Sequence, residues 1–329
     1  MLTEFLTFDA QGNPQVAGNE LAQGLSSGNC GFRTNAVLRK DEWIHMEDAV
    51  IQANLDRSVG VADLKSRGLV YDVANGLYTT VLQYETVGKM SRANVDMDAE
   101  SQPQEDGQLF GIGYFPLPII HKEFSISERV LGASRMSRSK LDTTQGEEAG
   151  RVVGEEKEII LFRGSNSFAF GGGTIYGYMD HPHRNLGDLM AAWGASGADP
   201  FGDVVAMKAA LVAKGFHGPF ALYVPTAYES ALDANYVTGA AAVNLTVRER
   251  ILKIGGIESI KTADHLTAGS VILVQLTKNV VRMVTGMTMQ MRQWTQNGGA
   301  RTHFRALEID IPQIRTDSAN NCGVAHYSA

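Results

Sequence analysis

Just after residue 40 the apolar positions Trp43, Met46, Val50, Ile51 and Leu55 recur at helical spacing, with Glu42, Glu47 and Asp48 between them. The spacing predicts a helix over residues 42–56, with Asp41 placed to cap its first turn. Downstream the pattern becomes that of strands: residues 77–87 and 109–124 are rich in Tyr, Thr, Val, Ile and Phe. Between them runs MSRANVDMDAESQPQEDGQ, which is polar, acidic toward its end and interrupted by Pro103 and Gly107. Such a stretch lacks the apolar surface to pack on itself. The pair reads as a long two-stranded arm with a polar tip. An isolated hairpin is only marginally stable in water, so an arm of this length implies support from another chain.

Helical spacing returns at Thr144-Gln-Gly-Glu147, which has the form of a capping box. Ala149, Val152, Val153, Ile159, Ile160 and Phe162 carry this helix to Arg163, and Gly164 is placed to end it. Its acidic residues Glu147, Glu148, Glu155, Glu156 and Glu158 read as a solvated or inter-subunit face, because no partner motif accompanies them. After Gly171-Gly172-Gly173 a second region spans about residues 185–283. There Asp199-Pro200 opens a helix that Gly215 closes, and Phe220, Leu222 and Val224 alternate as a strand. Thr226 and Thr246 are placed to cap further helices, and residues 257–261 and 271–276 read as strands. Residues 282–294 and 302–311 predict two long strands returning to the first lobe. Residues 1–40, rich in Gly, Asn, Gln and Ser, read instead as an extended arm that orders by lying across a neighbour, or equally as a floppy tail.

The chain has 329 residues, 44% hydrophobic and 20% charged, enough for a sizeable core without metal or disulfide staples. Its net charge of −7, from 29 basic and 36 acidic residues without a basic block, argues against sequence-specific duplex binding. It does not argue against enclosing nucleic acid, since a container needs a wall and few phosphate contacts. Cys30 and Cys322 stand in no metal-ligand spacing and read as free thiols of a reducing compartment. No run approaches a membrane span and MLTEFLTFDAQGNP is not a signal peptide, so a cytoplasmic protein with no membrane partner is expected.

Catalytic patterns fail one by one. Gly111-Ile-Gly113-Tyr-Phe-Pro116 has proline where a dinucleotide loop needs its third glycine, and Gly132-Ala-Ser134-Arg-Met136 breaks the nucleophile elbow at its last position. Asp180-His181-Pro-His183 is the best metal candidate, but it lacks HExxH spacing and a third ligand, and reads as a loop without metal. His121, His217, His265, His303 and His326 are scattered singly. The sequence therefore assigns no catalytic, cofactor-binding or metal residue, and implies no enzyme and no cofactor.

The order of arm, helix, two-stranded arm, long helix, α+β region and returning strands resembles the Hong Kong 97-type capsid fold. Leu117-Pro-Ile-Ile-His-Lys-Glu-Phe-Ser125, Leu141-Asp142-Thr143 and Ala149-Gly-Arg-Val-Val-Gly-Glu-Glu-Lys-Glu-Ile-Ile-Leu-Phe-Arg-Gly164 are similar to the strand and spine helix of encapsulins and phage major capsid proteins. Gly215-Phe-His-Gly-Pro-Phe-Ala-Leu-Tyr-Val-Pro-Thr-Ala-Tyr228 is similar to their Gly-Pro-aromatic stretch, and Arg248–Ile260 to their following helix and strand. The likeness covers about residues 41–312.

The resemblance implies an α+β chain divided into an N-terminal arm (1–40), a P-domain helix region (41–74), an extended E-loop (75–125), a P-domain spine region (126–184), an A-domain (185–283), and P-domain return strands with the C-terminus (284–329). It implies a major capsid protein whose partners are further copies of itself, in hexamers and pentamers, together with portal, scaffold and decoration proteins and non-specifically contacted double-stranded DNA. The expected location is the virion capsid, assembled in the host bacterial cytoplasm. The alternative is an encapsulin shell holding a cargo enzyme. The long N-terminal arm, the E-loop insertion and the loop around Thr238–Asn244 favour the phage head. Some members of the fold cross-link Lys to Asn between subunits. Lys89 and Asn320 or Asn321 match no such motif, and no cross-link is expected.

Overall fold

The computed structural model describes residues 6–8, 14–16, 38, 40–55, 58–87, 95, 97–98, 110–137, 142–238, 241–296, 300–317 and 319–329. Most of the expected N-terminal arm and of the polar tip lies outside these residues.

The first described elements are a small hairpin, β1 (Leu6–Phe8) and β2 (Pro14–Val16), then helices α1 (Lys40–Leu55) and α2 (Val59–Ser66). Strand β3 (Val70–Asp72) leads to the antiparallel pair β4 (Val81–Val87) and β5 (Phe110–Pro116), and β6 (Ile120–Ser127) runs directly into α3 (Glu128–Ser137). The 20-residue helix α4 (Thr144–Arg163) is followed by the pair β7 (Ser165–Phe170) and β8 (Gly173–Ile175), by β9 (Asn185–Asp188) and by α5 (Pro200–Ala213). Then come β10 (Phe220–Pro225), α6 (Glu229–Asp233), β11 (Asn235–Thr238), β12 (Ala241–Thr246), α7 (Val247–Leu252), β13 (Ile257–Ala263) and β14 (Ser270–Gln275). Two long strands, β15 (Val281–Gln296) and β16 (Arg301–Ile314), precede β17 (Val324–Ser328).

Contacts divide the chain into two compact units. The first comprises Met1–Ser58, Ile119–Glu156 and Met287–Glu308. In it β16 pairs antiparallel with β6, from Arg301↔Ser127 to Glu308↔Ile120, and Phe124 stacks on Phe304 with ring centroids 5.1 Å apart. Met46 and Val50 of α1 are buried, as the helical stripe requires. Helix α4 meets α1 through three glycines one turn apart. A Cβ on Gly146 would lie 2.5 Å from the Met46 sulfur, one on Gly150 2.3 Å from the Val50 carbonyl oxygen, and one on Gly154 2.5 Å from the Asn54 carbonyl oxygen. The absent side chains let the two backbones approach to contact. Asp41 lies inside the first turn of α1, where its charge favours the helix dipole without capping it. The cap of α4 also differs from the predicted box: Asp142 Oδ1 accepts from the Thr144 N–H at 3.0 Å, so Asp142 holds this terminus and Thr144 is already helical.

The second unit comprises Val59–Pro118, Lys157–Gly286 and Ile309–Ala329. Its centre is a five-stranded mixed sheet ordered β13-β10-β14-β17-β9. Every residue of β10 is buried, as expected of a strand covered on both faces. One face packs Phe220, Leu222 and Val224 against Val204, Met207 and Leu211 of α5 and Ile251 of α7. The other packs Ala221 and Tyr223 against Leu64, Leu161, Phe162 and Tyr178. Full burial of each large apolar side chain contributes about 1.5–3 kcal/mol.

Asp199 caps α5 by accepting from Gly202 N–H, and Thr246 caps α7 in a capping box with Glu249, both as predicted. Thr226 does not cap: it begins a single 3₁₀ turn and its hydroxyl bonds Asp264 at 2.8 Å. Residues 324–328, where the sequence predicts no strand, form β17 in the five-stranded sheet, antiparallel to β14 and parallel to β9.

Candidate functional site

The β4–β5 pair runs in register from Val81↔Pro116 to Val87↔Phe110. Gly113 has no side chain, and the Tyr84 ring across the strand covers it, 2.5 Å from where a Cβ would stand. That face is thus self-filled. The opposite face carries Ile112 and Tyr114, which are 58% and 47% exposed, beside Glu85 and Gln83. At its base the pair rests on β8, where a Cβ on Gly173 would sit 2.3 Å from the Tyr114 carbonyl oxygen. Ile112 and Tyr114 are thus uncovered apolar groups on this face of the single chain.

Toward the other end of β4 lies a cleft of about 520 Å³, lined by Glu85, Thr86, Phe216, Gln275, Asn279 and Arg315 among others. The histidines proposed from sequence do come together, with ring centroids 5.9 Å apart, but not as ligands. His181 is buried and its Nδ1 accepts the His183 backbone N–H at 3.2 Å, and burial pushes its pKa down to about 4, so it is neutral. The Asp180 carboxylate accepts from the Gly177 N–H and supports the turn after β8 instead. Among the described residues no group of three or more His, Cys, Asp or Glu is placed to hold a metal ion.

The acidic residues of α4 divide by environment. Glu147 and Glu148 are exposed, and Glu155 pairs with Arg151. Glu158 is buried, contrary to the expected solvated face: its carboxylate accepts the N–H groups of Gly60 at 2.6 Å and Val61 at 3.1 Å, at the start of α2. Burial raises its pKa, and the two backbone donors only partly oppose that rise. Asp63, also on α2, accepts from Lys261 Nζ at 2.9 Å, Tyr223 Oη at 3.0 Å and Arg67 Nε at 3.2 Å. Burial alone would raise its pKa, but these three donors outweigh it and hold the carboxyl below the ordinary range. These buried carboxylates anchor α2 and are not aimed into a cleft.

A mixed sheet covered by helices on both faces, a long helix and a projecting two-stranded arm make up the Hong Kong 97-type capsid fold, and this chain has that fold. It aligns with the virus-like particle from Pyrococcus furiosus at a TM-score of 0.63 and 14% identity, over 87% of this chain and 99% of that one. It aligns with the capsid of Myoviridae phage XM1 at 0.60 and 10%, over 80% and 90%. In sequence it is similar to the type 1 encapsulin shell protein EncA of Myxococcus xanthus (strain DK1622), 26% identical over 216 residues, which is 64% of this chain and 69% of that protein. The chain therefore shares its α+β fold with a phage capsid and a virus-like particle, and part of its sequence with an encapsulin shell protein. A family described as a family of unknown function (DUF6260) matches residues 33–326, and the chain belongs to that family. No helix among the described residues is long and apolar enough to cross a membrane.

Proposed function

We propose that this chain is a major capsid protein that self-assembles into hexamers and pentamers of an icosahedral phage head around double-stranded DNA, with no catalytic role. The β4–β5 arm carries this reading: a two-stranded pair that exposes Ile112 and Tyr114 in the single subunit gains its missing packing by overlapping a neighbour. In this reading residues 75–125 are the E-loop, residues 1–40 an arm laid across adjacent subunits, 126–184 the spine region and 185–283 the A-domain, to which β17 adds a strand. Residues 41–74 and the return strands complete the P-domain. Portal, scaffold and decoration proteins are further partners, and assembly occurs in the bacterial cytoplasm.

The likeness to an encapsulin over 216 residues favours a second reading, a nanocompartment holding a cargo enzyme. Electron microscopy and sedimentation of the chain expressed alone test shell formation, and the contents separate the two. Nuclease-protected double-stranded DNA in particles from the native host supports the phage head, whereas a co-purifying enclosed protein without DNA supports the compartment. A monomer or dimer under all salt conditions, with scaffold candidates present, overturns both.

A further inference from the structure

Two guanidinium groups lie near each other in the second unit, and neither has a carboxylate for a partner among the described residues. Arg282, on β15, spreads over the Tyr71 ring at 4.2 Å, and its Nε donates to Gln313 Oε1 at 2.7 Å. Burial, and after it the charge of Arg315, hold the Arg282 pKa below the usual guanidinium range, so Arg315 stands close enough to repel it. Arg315, just beyond β16, makes one side-chain hydrogen bond, from Nη2 to the Glu85 carbonyl oxygen at 3.5 Å. That length is beyond the ordinary range for such a bond. The Arg315 Nε is buried and has no partner among the described residues. A guanidinium carries five N–H donors, so most of those on Arg315 are unused. Leaving such donors unpaired is unfavourable, and a second like charge nearby adds to the cost.

Arg315 lines the cleft of about 520 Å³ at the end of β4, a volume within the range of small-molecule sites. The half-buried Phe216 ring and the side chains of Gln275 and Asn279 line it too. So do two carboxylates, and neither neutralises Arg315. Asp317 is turned onto its own loop: Oδ1 accepts from the N–H groups of Ala319 at 2.9 Å and Asn321 at 2.7 Å, and Oδ2 from Asn321 Nδ2 at 3.0 Å. Glu85 is exposed, and it offers Arg315 its backbone carbonyl. We propose that this cleft binds a phosphate group, with the Arg315 guanidinium as its principal donor and Arg282 contributing charge. A planar guanidinium fork matches phosphate and carboxylate alike. Phosphate is the better match here, because a dianion balances both arginines and a carboxylate only one. The cleft exceeds what a bare phosphate fills, so Phe216, Gln275 and Asn279 are available to an organic part such as a nucleoside. The inference needs only the single chain and is independent of the shell-subunit reading.

The test titrates the purified full chain with inorganic phosphate, adenosine monophosphate and adenosine by calorimetry, at fixed ionic strength. Saturable phosphate binding, one per chain, is expected, and it weakens as salt rises. Arg315→Gln is expected to lower the affinity at least about tenfold, as the loss of a charge-assisted hydrogen bond implies. Arg315→Lys keeps the charge without the fork and is expected to fall between Arg315→Gln and the wild type. Glu85→Gln removes an opposing charge at an exposed position and is expected to tighten binding about twofold or more. Circular dichroism checks the fold of each variant, and Glu85→Gln still decides if the arginine variants do not fold. Adenosine monophosphate binding about tenfold more tightly than phosphate assigns the site to a nucleotide, and equal affinities assign it to the free ion. Absence of saturable binding by phosphate and by adenosine monophosphate overturns the proposal. So does an Arg315→Gln affinity within about twofold of the wild type, binding that Glu85→Gln fails to tighten, or adenosine binding as tightly as its monophosphate.

Discussion

Gly150 of α4 faces Val50 of α1 so closely that a Cβ would stand 2.3 Å from the Val50 carbonyl oxygen. Helix propensity and packing oppose each other here. Alanine would favour an isolated helix by about 1 kcal/mol over glycine, whereas a methyl pressed on backbone forces the helices apart at about 1–3 kcal/mol or more. Packing wins, so Gly150→Ala is expected to lower the melting temperature. Gly132→Ala, where a Cβ meets nothing within 4 Å, is expected to leave it unchanged or raise it. Thermal denaturation of the two variants checks the contrast.

Glu158 predicts a particular pH dependence. Its pKa is raised in the folded chain, so the folded state holds that proton more tightly than the unfolded state does. Its contribution is therefore fully present below the ordinary glutamate value of about 4 and is lost as pH rises through the raised value. Glu158→Gln keeps an oxygen for only one of Gly60 and Val61 and turns its NH2 toward the other N–H, so it is expected to remove this pH dependence while costing about 1–3 kcal/mol. Glu158→Leu leaves both N–H groups without their acceptor and is expected to cost about 1–3 kcal/mol at neutral pH. Urea titrations at several pH values separate the two.

Asp63 predicts the opposite limb. Its pKa is lowered, so its stabilisation is present above the ordinary aspartate value of about 4 and disappears as pH falls through the depressed value. Asp63→Asn keeps an acceptor for Tyr223 but strands the Lys261 and Arg67 charges. The variant is expected to be destabilised by about 1–3 kcal/mol at pH 7 and to lose part of the acid dependence of the wild type. Acid titration followed by circular dichroism measures both effects.

Ile112 is exposed in the single subunit, so Ile112→Asp is expected to change subunit stability by less than about 0.5 kcal/mol. The same change places a carboxylate where the proposed neighbour would cover it, and shells are expected to fail. Equal shell yield from Ile112→Asp and the wild type in electron micrographs would show that this face of the arm takes no part in assembly.

Cys322 is buried and its thiol pKa is pushed up to about 12, mainly by burial. In a Cys30→Ser background it is expected to resist a thiol reagent in the folded subunit and to react fully in denaturant. Reaction within minutes under native conditions would contradict the burial.

Much of this arrangement was legible in the sequence, where a single element carried the signal. Met46 and Val50 gave α1 by their period, and the Asp199-Pro200 and Thr246 caps fixed the starts of α5 and α7. The arm was readable because its strands are apolar and its tip cannot pack. What stayed hidden depended on partners remote in sequence. Glycine at 146, 150 and 154 weakens a helix taken alone, and its role becomes visible only once α1 lies against it. Glu158 looks like its exposed neighbours until α2 presents two N–H groups to it. Asn185–Asp188 and Val324–Ser328 are too short and polar to announce strands, and only their mutual pairing makes them so.

The place of β17 between β14 and β9 also sets a clock on synthesis. Asn185 Nδ2 donates to the Val324 carbonyl oxygen at 3.0 Å across 139 residues of chain, and β9 has β17 as its neighbour in the sheet. At roughly 5–20 residues per second, a nascent chain carries β9 unpaired for roughly 7–30 s before its partner leaves the ribosome. Once β14 has been made, its edge is open as well until β17 follows. Neighbouring nascent chains on one message would thus expose matching open edges together, and crowded translation, more than the finished subunit, is where this protein is most vulnerable to mispairing.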